Sequence, residues 1–163
     1  MFASPKAQAD FVPIAEPLDI NQRYLVRVQK IEDTGISRFA DPENPNAKHR
    51  LRWTFHVANL DKSPILNVNG DPWEFSDWTN NTTSKGKKTA TARLWIEALF
   101  GRDLEDSDIK PGIERELVGK VAVVLFEEQE AETQEGVAYT RYSILRIGPN
   151  KSNGTVLAAP KVS

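Results

Sequence analysis

The position of one helix pattern in an otherwise strand-like chain most constrains how this sequence can fold. In residues 87–101, apolar side chains recur every three or four positions, which is the pattern of a helix with one buried face. Gly101 follows the last of them, where a left-handed C-cap glycine is favoured. Three strand-like segments precede this helix and two follow it. The sequence therefore predicts the element order β-β-β-α-β-β.

Alternation of apolar and polar residues indicates the strands. The clearest alternation is in residues 49–59, where Trp53 and Phe55 share one face. The first strand is predicted over residues 22–33, and its phase breaks at Ile31, which predicts a bulge or bend. The other three strands are predicted over residues 73–79, 117–126 and 137–147.

This element order is that of the OB-fold, a small barrel that commonly binds single-stranded nucleic acid or oligosaccharides. We therefore predict a mainly β fold, a five-stranded OB-type barrel with one helix between strands 3 and 4, over residues 21–148. Scattered prolines predict an extended N-terminal arm over residues 1–20. The small, polar composition of residues 149–163 predicts a disordered C-terminal tail.

Composition excludes several classes of site. The chain has no cysteine, which excludes disulfides, thiolate metal sites and cysteine nucleophiles, and suits a reducing compartment. No apolar run approaches the roughly 20 residues that a membrane-spanning helix needs. Residues 1–10 lack the pattern of a secretory signal. We therefore expect a cytoplasmic protein that does not contact a membrane.

The chain contains no catalytic motif. Residues 79–89 resemble a phosphate-binding loop only superficially, because Asn81 stands where glycine is needed and Lys88 where serine or threonine is needed. His49 and His56 are seven residues apart, which places them on opposite strand faces, and no carboxylate is spaced to complete a metal site. We therefore predict a protein that is not an enzyme and holds no cofactor or metal.

The net charge of −2 conceals a separation of charge along the chain. Basic residues concentrate in the first two predicted strands and in the loop before the helix. Arginine and lysine neutralise phosphates, and aromatic rings stack on bases, so these residues predict a nucleic-acid-binding surface. The predicted site consists of Arg23, Arg27, Arg50, Arg52, Trp78, Lys85, Lys87, Lys88 and Tyr142.

The two aromatic residues of this site are chosen by strand phase. Trp78 is expected to face outward because Trp73 and Phe75 supply the core side of the same strand. Tyr142 is expected to face outward if Tyr139, Arg141 and Ser143 occupy the opposite face. The alternative is that Trp78 packs under the helix and that the arginines only keep the sheet hydrated.

Acidic residues concentrate in the predicted hairpin tip, residues 127–136, which carries Glu127, Glu128, Glu130, Glu132 and Glu135. Phosphates would be repelled from it. Nucleic acid then avoids this tip, or the tip recruits a basic protein partner, or the protein does not bind nucleic acid.

Three segments carry a resemblance to a known group of proteins: RLRWTFHVAN, RLWIEALFG and LVGKVAVVLFEE. In this order they resemble phage-encoded single-stranded-DNA-binding and replication-accessory proteins with an OB-type fold, over about residues 22–147. The resemblance implies a non-catalytic single-stranded-DNA-binding protein in phage-type DNA replication or recombination, located in the host cytoplasm. The C-terminal Ala-Pro-Lys-Val-Ser departs from the acidic, Phe-ended tail of bacterial single-strand-binding proteins, so recruitment through the tail is not expected.

Other interpretations stay open at this stage. The protein is alternatively a protein-interaction or virion-assembly module built on an OB-like barrel, which would form a defined oligomer or co-purify with a partner. A carbohydrate-binding barrel also stays open, because exposed tryptophans suit sugars. The sequence does not decide between DNA and RNA, nor between a monomer and a homo-oligomer.

Overall fold

One antiparallel sheet forms the body of the protein in a computed structural model, which describes residues 12–36, 43, 48–85 and 88–150. Its five strands have the order β3-β2-β1-β4-β5. The strands are β1 (Arg23–Ile36), β2 (His49–Ala58), β3 (Glu74–Asn80), β4 (Val121–Glu132) and β5 (Ala138–Pro149). The helices are α1 (Thr91–Phe100) and α2 (Ile113–Leu117), with a 3-10 turn at Asp106–Asp108 between them. The predicted mainly β fold and the place of the main helix are confirmed.

The sheet is open between β3 and β5, and we call this gap the seam. β3 and β5 are the two edges of the sheet, and no backbone ladder joins them in the described residues. Across the seam, the Ile144 N–H donates a hydrogen bond to the Asp77 carboxylate at 2.8 Å. The rings of Trp73 and Tyr142 also meet edge to face there, with centroids 5.9 Å apart. A five-stranded sheet is thus confirmed, whereas the predicted closure into a barrel is not shown.

The core lies on one face of this sheet and is rich in aromatic rings. Phe55 is fully buried, and the rings of Phe75 and Phe126 meet edge to face 5.0 Å apart. α1 covers this core, since the Trp95 ring lies 5.1 Å from the Trp53 ring. Such edge-to-face pairs are favourable because the positive ring edge meets the negative ring face.

α1 ends as the sequence predicts. Gly101 adopts a left-handed conformation with φ of 76°, and its N–H donates to the Glu97 carbonyl oxygen. The helix begins at Thr91, four residues later than the predicted start at residue 87. The segments before and after α1 are joined to it by the buried side chain of Arg93.

The predicted bulge in β1 is confirmed near its predicted place. Val28 pairs with Phe55 and Lys30 with Thr54, so one residue of β1 is extra between these pairs. Such an extra residue bends a strand and increases its twist.

The start of the fourth strand and the hairpin tip differ from the prediction. Leu117 ends α2, so β4 begins at Val121 rather than at residue 117. β4 runs to Glu132 and β5 starts at Ala138, which leaves only residues 133–137 as the tip. Most of the glutamates therefore lie on β4 itself, because ladder hydrogen bonds to β5 form whatever the side chain is.

The segment before β1 packs against the sheet. Leu18 is buried, and its N–H donates to the Tyr142 hydroxyl at 3.1 Å. The Ala15 N–H donates to the Leu66 carbonyl oxygen at 3.0 Å. Residues 1–11 of the predicted arm and residues 151–163 of the predicted tail lie outside the described residues. Within the described ranges, no helix is long and apolar enough to cross a membrane.

Candidate nucleic-acid interface

The outer face of β2 and β3 carries the central part of the predicted site. Trp53 and Phe55 are buried on the inner face of β2, so strand alternation turns Arg52 outward. Arg52 pairs with Trp78 on β3 and with Glu32 on β1, which places a cation between an aromatic ring and a carboxylate. Trp78 is partly exposed on this face, as its strand phase predicts.

Arg50 lies next to Trp78 on the same face. Its guanidinium carbon is 5.6 Å from the centroid of the Trp78 ring, which is cation–π distance. The Nε atom of Arg50 is buried and has no hydrogen-bond partner among the described residues. Arg50 also makes no ion pair with any carboxylate in this part of the chain. The cation beside the aromatic ring is therefore not neutralised there.

Arg52, in contrast, is neutralised by a neighbour. Its Nη2 and Nε atoms contact Glu32 Oε1 at 3.0 and 3.1 Å. The Lys30 Nζ atom approaches the same oxygen at 3.7 Å. The positive charge that the outer face of β1 and β2 offers to a ligand is thus smaller than the number of basic residues there predicts.

Arg23 and Arg27 lie on the face of β1 that matches the outer face of β2, as predicted, but at the opposite end from Arg50. Arg27 pairs with His56, and Arg23 pairs with Leu125 on β4. Because β1 and β2 are antiparallel, the start of β1 lies beside the end of β2. At about 3.3 Å per residue, Arg23 is roughly 30 Å from Arg50 along the sheet.

A groove of about 700 Å³ opens beside Trp78, between β3 and β5. Its basic and aromatic lining consists of Arg52, His56, Trp73, Phe75, Trp78, Tyr139, Arg141 and Tyr142. Asp71 and Glu74 also line it, and both lie toward the start of β3. The groove therefore changes from acidic at Glu74 to aromatic at Trp78, where Arg52 of β2 supplies the cation.

Tyr142 is not an outward platform, and this prediction is wrong. Tyr142 is only 6% exposed, and its ring packs against Trp73 and Phe126. The outward positions belong to Tyr139 and Arg141, which line the groove. The prediction chose the other phase of β5, and a shift of one residue moves every side chain to the other face. Arg141 was therefore missed, although its alternation with the apolar Tyr142 is visible in the sequence.

The structure describes two of the three predicted lysines before α1, Lys85 and Lys88. Lys85 Nζ lies 3.3 Å from Glu97 Oε2, so this side chain is directed to α1 rather than to the outer face of β2. The same loop is fixed to α1 by Arg93 Nη1, which donates to the Thr83 carbonyl oxygen at 3.0 Å. Lys88 is exposed, and Lys87 lies outside the described residues.

The acidic residues of the β4–β5 hairpin do not line the groove, but two of them neighbour its lining. Glu128 and Glu130 pair with Tyr142 and Thr140 of β5, which do line it. Glu128, Glu130 and Glu132 are exposed on β4, and none of the hairpin glutamates lines the groove. Glu127 Oε1 accepts a hydrogen bond from Ser143 Oγ at 3.2 Å. A polyanion in the groove would therefore lie one strand away from these carboxylates.

Burial affects one carboxylate beside the interface. Burial raises the pKa of Asp77 above its ordinary value. Hydrogen bonds from the N–H groups of Ile144 and Trp78 oppose that rise in pKa, as does the charge of Arg141. Asp77 therefore makes its hydrogen bond across the seam at some cost in desolvation.

Comparison of the sequence with family models and curated proteins does not assign this site a role. No protein-family model matches the chain, and no curated protein sequence matches it at a significant level. In the described part of the chain, no three histidine, aspartate or glutamate side chains gather as a metal site would need.

Proposed function

We propose that this protein is a non-catalytic single-stranded-DNA-binding protein with an OB-type barrel, acting in phage-type DNA replication or recombination. The observation that carries the proposal is the Arg50 guanidinium next to the partly exposed Trp78 ring, at the edge of the groove. A bound nucleotide presents a phosphate next to a base. A cation for the phosphate and an aromatic ring for the base are therefore required side by side.

The position of the pair supports the OB-type assignment. OB-folds bind ligands on the face of strands 2 and 3, and Arg50, Arg52 and Trp78 lie on that face. The order β3-β2-β1-β4-β5 is also the order of a five-stranded OB barrel opened between its third and fifth strands. Asp77 and Ile144 meet at that opening.

The charge distribution suggests the path of the strand. Bases stack on Trp78 and phosphates contact Arg50, while Arg141 offers a second cation on the opposite side of the groove. The acidic Asp71 and Glu74 disfavour phosphates at the other end of β3. Stacking one base on an aromatic side chain contributes about 1–3 kcal/mol.

Titration with oligo-dT, followed by tryptophan fluorescence, tests the proposal. Trp53 and Trp95 are buried outside the groove, so quenching reports on Trp78 and on Trp73, which also lines it, and a Trp78→Phe variant isolates the Trp78 part. We expect quenching at about 50 mM salt and an affinity that falls steeply toward about 200 mM, because binding releases counterions. No binding at low salt would refute the function.

A matched pair of double variants separates a specific site from general charge. Arg50→Glu/Arg52→Glu and Arg23→Glu/Arg27→Glu change the net charge equally, but only the first changes the cations beside Trp78. We expect the first to weaken binding by at least about tenfold, and the second by no more than about threefold, because local contacts exceed the long-range term. Equal losses would count against this site. Circular dichroism verifies that both variants fold.

The alternative proposal is a protein-interaction or virion-assembly module. The exposed carboxylates of Glu128, Glu130 and Glu132, outside the groove, favour it by offering a surface for a basic partner. Light scattering after gel filtration distinguishes the two, since this module forms a defined oligomer or complex whose mass does not respond to oligo-dT.

A further inference from the structure

Arg50 covers the aromatic platform in the free protein. Its guanidinium carbon lies over the Trp78 ring, 5.6 Å from the ring centroid, on a face of the ring that a base could stack on. Building on the proposed function, we propose that a nucleotide exchanges with Arg50: its base takes the place on Trp78, and its phosphate receives the displaced guanidinium.

The contacts of Arg50 make this exchange easier than it would be for the other arginines. Arg52 is held by Glu32, and the buried Arg93 is held by Glu97 and Asp106. Arg50 has neither a carboxylate contact nor, at its buried Nε, any hydrogen-bond acceptor among the described residues. A donor buried without an acceptor is unfavourable, so moving Arg50 to a phosphate relieves a cost already present in the free protein.

The exchange also defines the chemical class of ligand. A base stacked on tryptophan is held more firmly than a guanidinium in a partly exposed cation–π contact. The displaced guanidinium, however, needs an anion to receive it. A nucleotide supplies both the ring and the anion, whereas a neutral sugar lacks the anion and an abasic strand lacks the ring. The site therefore selects nucleotides over neutral oligosaccharides, although exposed tryptophans suit both.

The first test measures how much Arg50 shields the Trp78 ring from solvent in the free protein. Acrylamide quenching of tryptophan emission is compared for the wild type, Arg50→Gln and Arg27→Gln, the last being a control at the far end of the outer face. We expect Arg50→Gln to increase quenching and Arg27→Gln to leave it unchanged. In a Trp78→Phe background, the effect of Arg50→Gln should disappear. Equal quenching of the wild type and Arg50→Gln would overturn the proposal.

The second test measures the exchange with three probes: oligo-dT, an abasic oligonucleotide of the same length and a neutral hexasaccharide. We expect oligo-dT to change Trp78 emission, the abasic strand to bind at least about tenfold more weakly for lack of stacking, and the sugar not to bind. We expect Arg50→Lys to bind oligo-dT better than Arg50→Gln, because lysine keeps the charge that meets the phosphate.

The outcomes separate this proposal from the proposed function. If oligo-dT binds without changing Trp78 emission, DNA binding stands and the exchange is wrong. If the hexasaccharide binds with the same change in emission, the ligand class is wrong. If the wild type binds no oligo-dT at all, both proposals fall.

Discussion

The Asp77 carboxylate joins the two edge strands of the sheet by accepting a hydrogen bond from the Ile144 N–H at 2.8 Å. Its other oxygen accepts the Trp78 N–H, also at 2.8 Å. One side chain thus fixes both the seam and the backbone of the aromatic platform. The carboxylate is partly buried, which raises its pKa, and the nearby charge of Glu127 raises it further.

The raised pKa of Asp77 predicts how stability depends on pH. Between the unfolded value of about 3.9 and the higher folded value, the folded protein binds more protons than the unfolded chain. The contribution of Asp77 to the free energy of unfolding therefore decreases as pH rises through this window. In Asp77→Asn this pH-dependent part is lost, so the variant should gain stability relative to the wild type as pH rises from about 4.

Urea unfolding of both proteins at several pH values checks this prediction. Asparagine keeps only one of the two acceptor oxygens. We therefore expect the free energy of unfolding of Asp77→Asn to be lower by about 1 kcal/mol at every pH, in addition to the pH-dependent gain. Parallel profiles for the wild type and Asp77→Asn would show that Asp77 is not the group responsible.

Arg93 should be the most important charged residue for stability. Its side chain is 1% exposed, and it contacts Glu97 at 3.2 Å, Asp106 at 2.9 Å and the Thr83 carbonyl oxygen at 3.0 Å. Arg93→Ala leaves these acceptors without their donor, and we expect a loss of about 3–5 kcal/mol. The free energy of unfolding in urea measures it.

The matched control for Arg93 is Arg115→Ala on α2, where the side chain is exposed. We expect the free energy of unfolding of Arg115→Ala to stay within about 0.5 kcal/mol of the wild-type value. Similar losses for the two variants would mean that the buried network does not stabilise the loops on either side of α1.

Gly101 tests whether the helix end depends on backbone conformation alone. Its φ is 76°, and a Cβ built there meets no atom within 4 Å. Gly101→Ala should therefore cost about 1–2 kcal/mol through the left-handed backbone and nothing through crowding. Gly101→Asn should cost less, because asparagine adopts this conformation more readily. Thermal unfolding compares them, and an equal loss for both variants would contradict this explanation.

Local patterns in the sequence predicted the elements, because each depends on neighbours a few residues away. The alternation around Trp53 and Phe55 and the glycine at position 101 are of this kind. The helical turn ending at Leu117 was missed, because five residues give too few repeats to show a helical period.

The candidate site was less predictable, because it depends on pairing between distant strands. The neutralisation of Arg52 follows from its register with Glu32, which no local pattern contains. The separation of Arg23 from Arg50 follows from the same register. The inward phase of Tyr142 depends on contacts with Leu18 and Trp73, which come from other parts of the chain.

Two tyrosine hydroxyls hold the segment before β1. The Tyr142 hydroxyl accepts the Leu18 N–H at 3.1 Å, and the Tyr24 hydroxyl accepts the next N–H, that of Asp19, at 2.9 Å. Tyr24→Phe/Tyr142→Phe keeps both rings in the core but removes both acceptors, and each lost hydrogen bond should cost about 1 kcal/mol. Hydrogen exchange should then be faster at the amides of residues 18 and 19 while the amides of β2 stay protected, because the loss is local. Unchanged exchange at residues 18 and 19 would mean that burial of Leu18, rather than the hydroxyls, holds this segment on the sheet.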